Sequence, residues 1–169
     1  MRKSRTEKSG KPLPYIFMLT FISGVTVGAV FALFNPGSFT FDITTASKLS
    51  VFLSSFKSFV KPCLVIWLSG FTGFSVYVSA GTLIYRGSLF GFVTGCIIKQ
   101  CGIKAALSAT LPQNILFFPL FLFISLAAAG QKNRLNLVYL IVLILSILIC
   151  AFSALIDTYI TSFFINLTL

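Results

Sequence analysis

Few side chains in this sequence could carry out acid, base or nucleophilic chemistry. The only carboxylates are Glu7, Asp42 and Asp157, and the chain contains no histidine. Acid–base and nucleophilic catalysis both need titratable groups within hydrogen-bond reach of one another, and these carboxylates are widely separated along the chain. We therefore predict that the protein is not an enzyme.

The cysteines do not form a metal-binding pattern either. Cys63, Cys96, Cys101 and Cys150 include no Cys-x-x-Cys pair. Structural zinc sites usually show paired ligands at short spacing. We expect buried free thiols that pack as small hydrophobic groups, and we expect no metal and no cofactor.

The residues 111–119 form the most specific polar pattern inside an apolar segment. Pro112 and Pro119 lack the N–H group that would bond the carbonyl four residues earlier, so we expect a kinked or broken helix. Gln113 and Asn114 could satisfy the freed backbone groups or bond a neighbouring helix. Polar amides beside a broken helix also occur at transporter binding sites, so both interpretations stay open.

Glycines at every fourth position form a second pattern, and Arg86 lies at the start of it. These glycines are Gly87, Gly91 and Gly95, with Gly24 and Gly28 repeating the spacing earlier in the chain. Such a face lets another helix approach closely, either within the bundle or in a homodimer or partner protein. Arg86 could extend its side chain to the lipid head groups, or it could dock a partner or an anionic lipid.

The composition is that of an integral membrane protein. Hydrophobic residues make up 57% of the chain and charged residues only 9%, against roughly 25% charged residues in soluble domains. The net charge of +10 reflects the scarcity of acids. Because the cations cluster at segment ends and near the amino terminus, the pattern indicates a lipid bilayer as the partner and not nucleic acid.

The uncharged segments predict an all-α fold, a transmembrane helix bundle of about five spans. A basic cytoplasmic tail, residues 1–14, precedes a single transmembrane domain, residues 15–169, whose first span is not cleaved as a signal peptide. The predicted spans are 15–34, 62–79, 82–98, 105–129 and 135–156.

Three of these spans need special arrangements. A turn near residues 79–81 would leave the second and third helices short, or their hairpin partly re-entrant, and would place Arg86 about one turn into the third helix. Residues 47–60 alternate at helical spacing and predict an amphipathic helix at the outer interface, or else the start of a long second span. The fourth helix is expected to be broken at its prolines.

The distribution of cations predicts the orientation of the chain. With the amino terminus inside, eight cations lie on the cytoplasmic side and five on the outer side, in agreement with the positive-inside rule. We therefore expect a multi-pass protein of the cytoplasmic (inner) cell membrane, with its amino terminus cytoplasmic and its carboxyl terminus external.

The residues 63–119 resemble the stage II sporulation protein M family of polytopic membrane proteins. The matching segments, in order, are Leu-Val-Ile-Trp-Leu-Ser-Gly at 64–70, Arg86-Gly87, Gly-Phe-Val-Thr-Gly at 91–95, Gln100-Cys101-Gly102, and Leu-Pro-Gln-Asn at 111–114 with Pro119. The resemblance thus identifies Arg86, Gln100, Pro112, Gln113, Asn114 and Pro119 as family-motif residues.

The resemblance implies a non-enzymatic membrane scaffold of a sporulation engulfment complex. Such a scaffold would recruit or hold the stage II sporulation proteins D and P, two peptidoglycan hydrolases, for septal wall remodelling. The residues themselves leave two alternatives: a small membrane permease or transporter subunit with a site at the broken fourth helix, and a homo-oligomer that forms through the glycine faces and shapes the membrane.

Overall fold

The computed structural model describes residues 12–34, 48–131 and 136–161, and every regular element in these ranges is helical. Helix α1 covers Leu13–Phe34, α2 Lys48–Ser69, α3 Ser75–Gly130 and α4 Leu137–Ile156, which is followed by a π-helical turn, Asp157–Thr161. The predicted all-α helical bundle is confirmed. Most of the predicted basic tail lies outside the described residues.

Helix α3 consists of two antiparallel arms joined at Gly102. Gly102 has a φ of 84° and a ψ of 172°, a left-handed conformation that glycine adopts without steric cost. In a straight helix, Arg86 and Phe117 would be about 46 Å apart, whereas the guanidinium carbon lies 5.5 Å from the ring centroid. The chain therefore reverses between a first arm, residues 75–101, and a second arm, residues 103–130.

Four helical segments among the described residues are long and apolar enough to cross a membrane. They are Leu13–Phe34, Lys48–Ser69, Ser75–Gln100 and Leu137–Tyr159, with a shorter apolar helix at Asn114–Gly130. The chain is thus a multi-pass membrane protein. We call the two ends of the bundle the Gly70 end, where α1 begins and α2 ends, and the Gly102 end, where α1 ends and α2 begins.

The boundary of the second helix differs from the prediction. Within the predicted 47–60 segment, residues 48–60 do not form a separate interfacial helix, because α2 runs without interruption from Lys48 through Pro62 to Ser69. The turn lies at residues 70–74, and residues 79–81 are helical. Both helices of this hairpin are consequently full length, so the expected short or re-entrant arrangement is not found.

Local chemistry explains the position of this turn. The amides of Gly70 and Thr72 bond the Trp67 and Ser69 carbonyls at 3.1 and 2.9 Å, which tightens the last turn of α2. Gly70 and Gly73 both disfavour continuation of a helix, whereas in the 79–81 segment only Gly81 does so. Two glycines only three positions apart are a stronger turn signal than a single glycine.

The prolines of the fourth span do not break their helix. Pro112 and Pro119 both lie within the second arm, and the residue with non-helical torsions in α3 is Gly102. The expected break is therefore displaced to the point of chain reversal. A helix can accommodate proline when neighbouring groups satisfy the freed carbonyls, as transmembrane helices often do.

The glycines at fourfold spacing pack α1 against the first arm of α3. A methyl group at Gly24 would lie 3.0 Å from the Cα of Ile84, and one at Gly91 would lie 3.0 Å from the backbone nitrogen of Ala29. Gly28 and Gly87 meet the opposite backbone in the same way, and a methyl group at Gly95 would lie 2.8 Å from the Cβ atom of Ala32. The two helices are parallel, and their backbones approach as closely as glycine allows.

Side chains from α2, α3 and α4 complete the packing of the bundle. Trp67 donates its indole N–H to the Tyr139 carbonyl at 3.0 Å, and the Tyr139 hydroxyl donates to the Trp67 carbonyl at 2.6 Å. The Cys63 and Cys150 thiols are buried 3.5 Å apart between α2 and α4. These contacts align α4 antiparallel to α2.

Candidate functional site: a cationic groove between α2 and α3

A backbone carbonyl released by proline positions the arginine of the first arm. Pro62 lies inside α2 and has no N–H to donate to the Ser58 carbonyl, its normal helical partner. The guanidinium of Arg86 donates a hydrogen bond to this carbonyl instead. Pro62 therefore creates the acceptor that holds Arg86 against α2.

Arg86 lies deeper in the bundle than the sequence predicted. It is about 16 Å along the helix axis from Ser75 at ~1.5 Å per residue, which is three turns and not one turn into the helix. Its side chain is half-buried. It does not extend to a helix end, because the Ser58 carbonyl and a set of aromatic rings hold it near the middle of the bundle.

Three phenylalanines surround the guanidinium. Its carbon lies 5.5 Å from the Phe117 centroid and 5.9 Å from the centroids of Phe59 and Phe121. Each such cation–π contact contributes about 0.5–2 kcal/mol, more where water is excluded. The rings stabilise the charge without neutralising it, so the site remains positive.

The opposite side of Arg86 faces a groove of about 770 Å³ between α2 and the first arm of α3. We call this the cationic groove because Lys57 and Lys61 line it together with Arg86. Its other lining residues are Ser54, Ser58, Pro62, Val65, Val78, Gly81, Thr82, Tyr85 and Leu89. Three cations and several hydroxyl groups thus share one lateral surface, about half-way along the length of an apolar bundle.

The charge of this groove is not balanced by the described carboxylate. Asp157 is the one acid in the part of the chain that the structure describes, and it accepts a hydrogen bond from Ser55 at 2.7 Å outside the groove lining. A cation at the centre of a membrane helix costs about 2.5–3.5 kcal/mol on insertion scales. Three cations in one groove therefore favour the binding of an anion.

A second cavity of about 270 Å³ lies on the aromatic side of Arg86. Residues of α1, α2 and both arms of α3 line it, including Thr110, Asn114 and Phe118. The Asn114 amide donates to the Thr110 carbonyl at 2.6 Å within its own helix. Asn114 thus stabilises the backbone of the second arm while facing this cavity.

The remaining motif residues lie apart from the groove. Gln100 is exposed near the chain reversal, Pro112 is half-buried, and Pro119 is exposed. The side chain of Gln113 lies outside the described residues. Within the described ranges, no group of three or more acidic, cysteine or histidine side chains could hold a metal ion.

Sequence reasoning did not identify the lysines of the groove. The predicted interfacial helix, residues 47–60, contains Lys57 and is followed directly by Lys61, so the sequence predicts both lysines at the outer interface. A turn signal at Gly70 and Gly73 would have shown that both lysines lie inside a spanning helix. That placement would then have set them opposite Arg86 in a helical hairpin.

No family model, curated protein or solved structure matches the chain. The resemblance of residues 63–119 to the stage II sporulation protein M family therefore remains a prediction from the sequence.

Proposed function

We propose that the protein is a non-enzymatic membrane scaffold that holds the stage II sporulation proteins D and P during engulfment. The resemblance of residues 63–119 supplies the partners. The structural observation in support is that the cationic groove opens on the side of the bundle, where lining residues come only from α2 and the first arm of α3. A lateral surface suits docking better than conduction along the bundle axis.

Deletion of the gene in a spore-forming host is expected to stall engulfment, because the two hydrolases would lose their membrane anchor. Fluorescent fusions of both hydrolases should become dispersed, and the wild-type gene in trans should restore their septal localisation. Engulfment at the normal rate, with both hydrolases still at the septum, would overturn the scaffold proposal.

A small permease or transporter subunit is the second candidate. The cavity beside Asn114 and Arg86 favours it, because this cavity lies between four helical segments. Transport through this cavity would require the surrounding phenylalanines to move apart. The test is uptake of a small organic anion by proteoliposomes that contain the protein. Uptake no greater than that of empty vesicles would rule out this function.

We propose that the Gly70 end is cytoplasmic. In the sequence, seven cations adjoin the starts of α1 and α4, namely Arg2, Lys3, Arg5, Lys8, Lys11, Lys132 and Arg134, and three lie at the Gly102 end, namely Lys48, Lys99 and Lys104. Because Lys57, Lys61 and Arg86 lie within the helices, they count for neither side. The resulting bias is larger than the sequence alone indicated. A reporter that works only in the cytoplasm should be inactive when it is fused after Leu169. Activity of this fusion would contradict the orientation.

A further inference from the structure

The cationic groove is positioned to receive an anion from within the membrane. Lys57 and Lys61 lie about 13 and 20 Å along α2 from Lys48, and Arg86 faces them from the adjacent arm. Arg86 uses one of its five N–H donors on the Ser58 carbonyl. Several donors on three cationic side chains therefore remain to be directed at one ligand.

The rim of the groove is apolar and exposed. Val65 is 49% exposed, Leu89 39% and Tyr85 62%, and all three line the groove. In a bilayer these side chains would contact acyl chains. A ligand with both an anionic group and hydrocarbon chains would match the three cations and the apolar side chains of this groove together.

A polar path connects the groove with the Gly102 end. Ser50, Ser54, Lys57, Ser58 and Lys61 recur at intervals that place them on one face of α2. This face extends from the start of α2 at Lys48 to the middle of the helix. A lipid head group could therefore move inward from the interface along hydroxyl and ammonium groups.

We propose that the cationic groove binds the phosphate group of an anionic phospholipid, with Lys57 and Lys61 contacting the phosphate and Arg86 contributing charge beneath it. Lysine and arginine are the usual donors to phosphate oxygens. The groove volume of about 770 Å³ falls within the range of roughly 300–1,000 Å³ typical of ligand sites. The bilayer supplies such a ligand laterally, whereas free phosphate would have to enter an apolar environment. The site does not depend on the scaffold role.

Native mass spectrometry of the full-length protein in mixed micelles tests this proposal. With equal amounts of phosphatidylglycerol and phosphatidylcholine, the wild-type protein should retain phosphatidylglycerol with at least about a tenfold preference. The double variant Lys57→Gln/Lys61→Gln should lose most of this preference. It keeps the Arg86 contact with Ser58, so we expect it to fold, and circular dichroism checks its helix content.

The matched control is Lys48→Gln/Lys104→Gln, which removes the same charge outside the groove. This control should keep the lipid preference. Equal loss in both double variants, or no loss in the groove variant, would overturn the proposal.

Addition of 10 mM inorganic phosphate, a concentration chosen to saturate a site of about millimolar affinity, should leave the lipid bound. Full displacement would show a site for free phosphate and would overturn lipid binding.

Discussion

Replacement of Gly91 by leucine is expected to unfold the pair formed by α1 and the first arm of α3. A Cβ atom at this position would meet the Val25 carbonyl oxygen and lie 3.0 Å from the Ala29 nitrogen. Both neighbours are backbone atoms, which cannot move aside as a flexible side chain can. Overpacking of this kind costs about 1–3 kcal/mol or more, and a leucine side chain would separate the helices further. Thermal unfolding in detergent, followed by circular dichroism, measures the effect.

Gly81 provides the matched control on the same arm. A Cβ atom there would meet no atom within 4 Å, so Gly81→Leu should leave the unfolding midpoint near that of the wild type. This comparison also decides whether the glycine face joins copies of the chain. If Gly91→Leu keeps its thermal stability but loses self-association, the face lies between two molecules and the packing described above is wrong.

Loss of the Arg86 side chain is expected to destabilise the protein more when Pro62 is present than when alanine replaces it. In Arg86→Met, the Ser58 carbonyl loses its donor, and a carbonyl left unsatisfied in the membrane, where water cannot replace the donor, costs about 1–3 kcal/mol. In Pro62→Ala/Arg86→Met, the new backbone N–H of residue 62 can bond Ser58 and restore the helical hydrogen bond. The double variant should therefore be more stable than Arg86→Met alone.

A double-mutant cycle with Pro62→Ala isolates this coupling from the other effects of each change. Unfolding free energies of the four proteins, measured by titration with a denaturing detergent, should show a coupling of about 1–2 kcal/mol. A coupling near zero would show that Arg86 is held by the phenylalanine rings alone. Methionine keeps apolar contact with those rings, so the coupling mainly reports the hydrogen bond.

The sequence shows the glycine pattern, but it does not show which helix each glycine face contacts. Fourfold spacing at Gly24 and Gly28 and at Gly87, Gly91 and Gly95 is a local property, so it could be read directly. Whether these faces pack within one chain depends on how two helices distant in sequence are arranged. In the structure each glycine face meets the backbone of the other helix.

Proline patterns were harder to interpret because a proline changes hydrogen bonding without dictating the response. Pro112 and Pro119 predicted a broken helix, yet the second arm remains helical across both. Pro62 leaves its helix uninterrupted as well, and the carbonyl it releases binds Arg86, which is distant in sequence. The outcome in each case depends on which donor the surrounding helices bring to the freed carbonyl.

Composition and segment length alone determined that this is an all-helical, multi-pass membrane protein, because an apolar chain with few charges can satisfy its backbone in lipid only through regular structure. Only the tertiary structure decided that Lys57, Lys61 and Arg86 share one groove. Arg86 is on a different helix from the two lysines, and the position of the turn between the helices sets which side chains face one another. A turn at residues 70–74 brings the three cations together in one lateral groove, about half-way along the bundle.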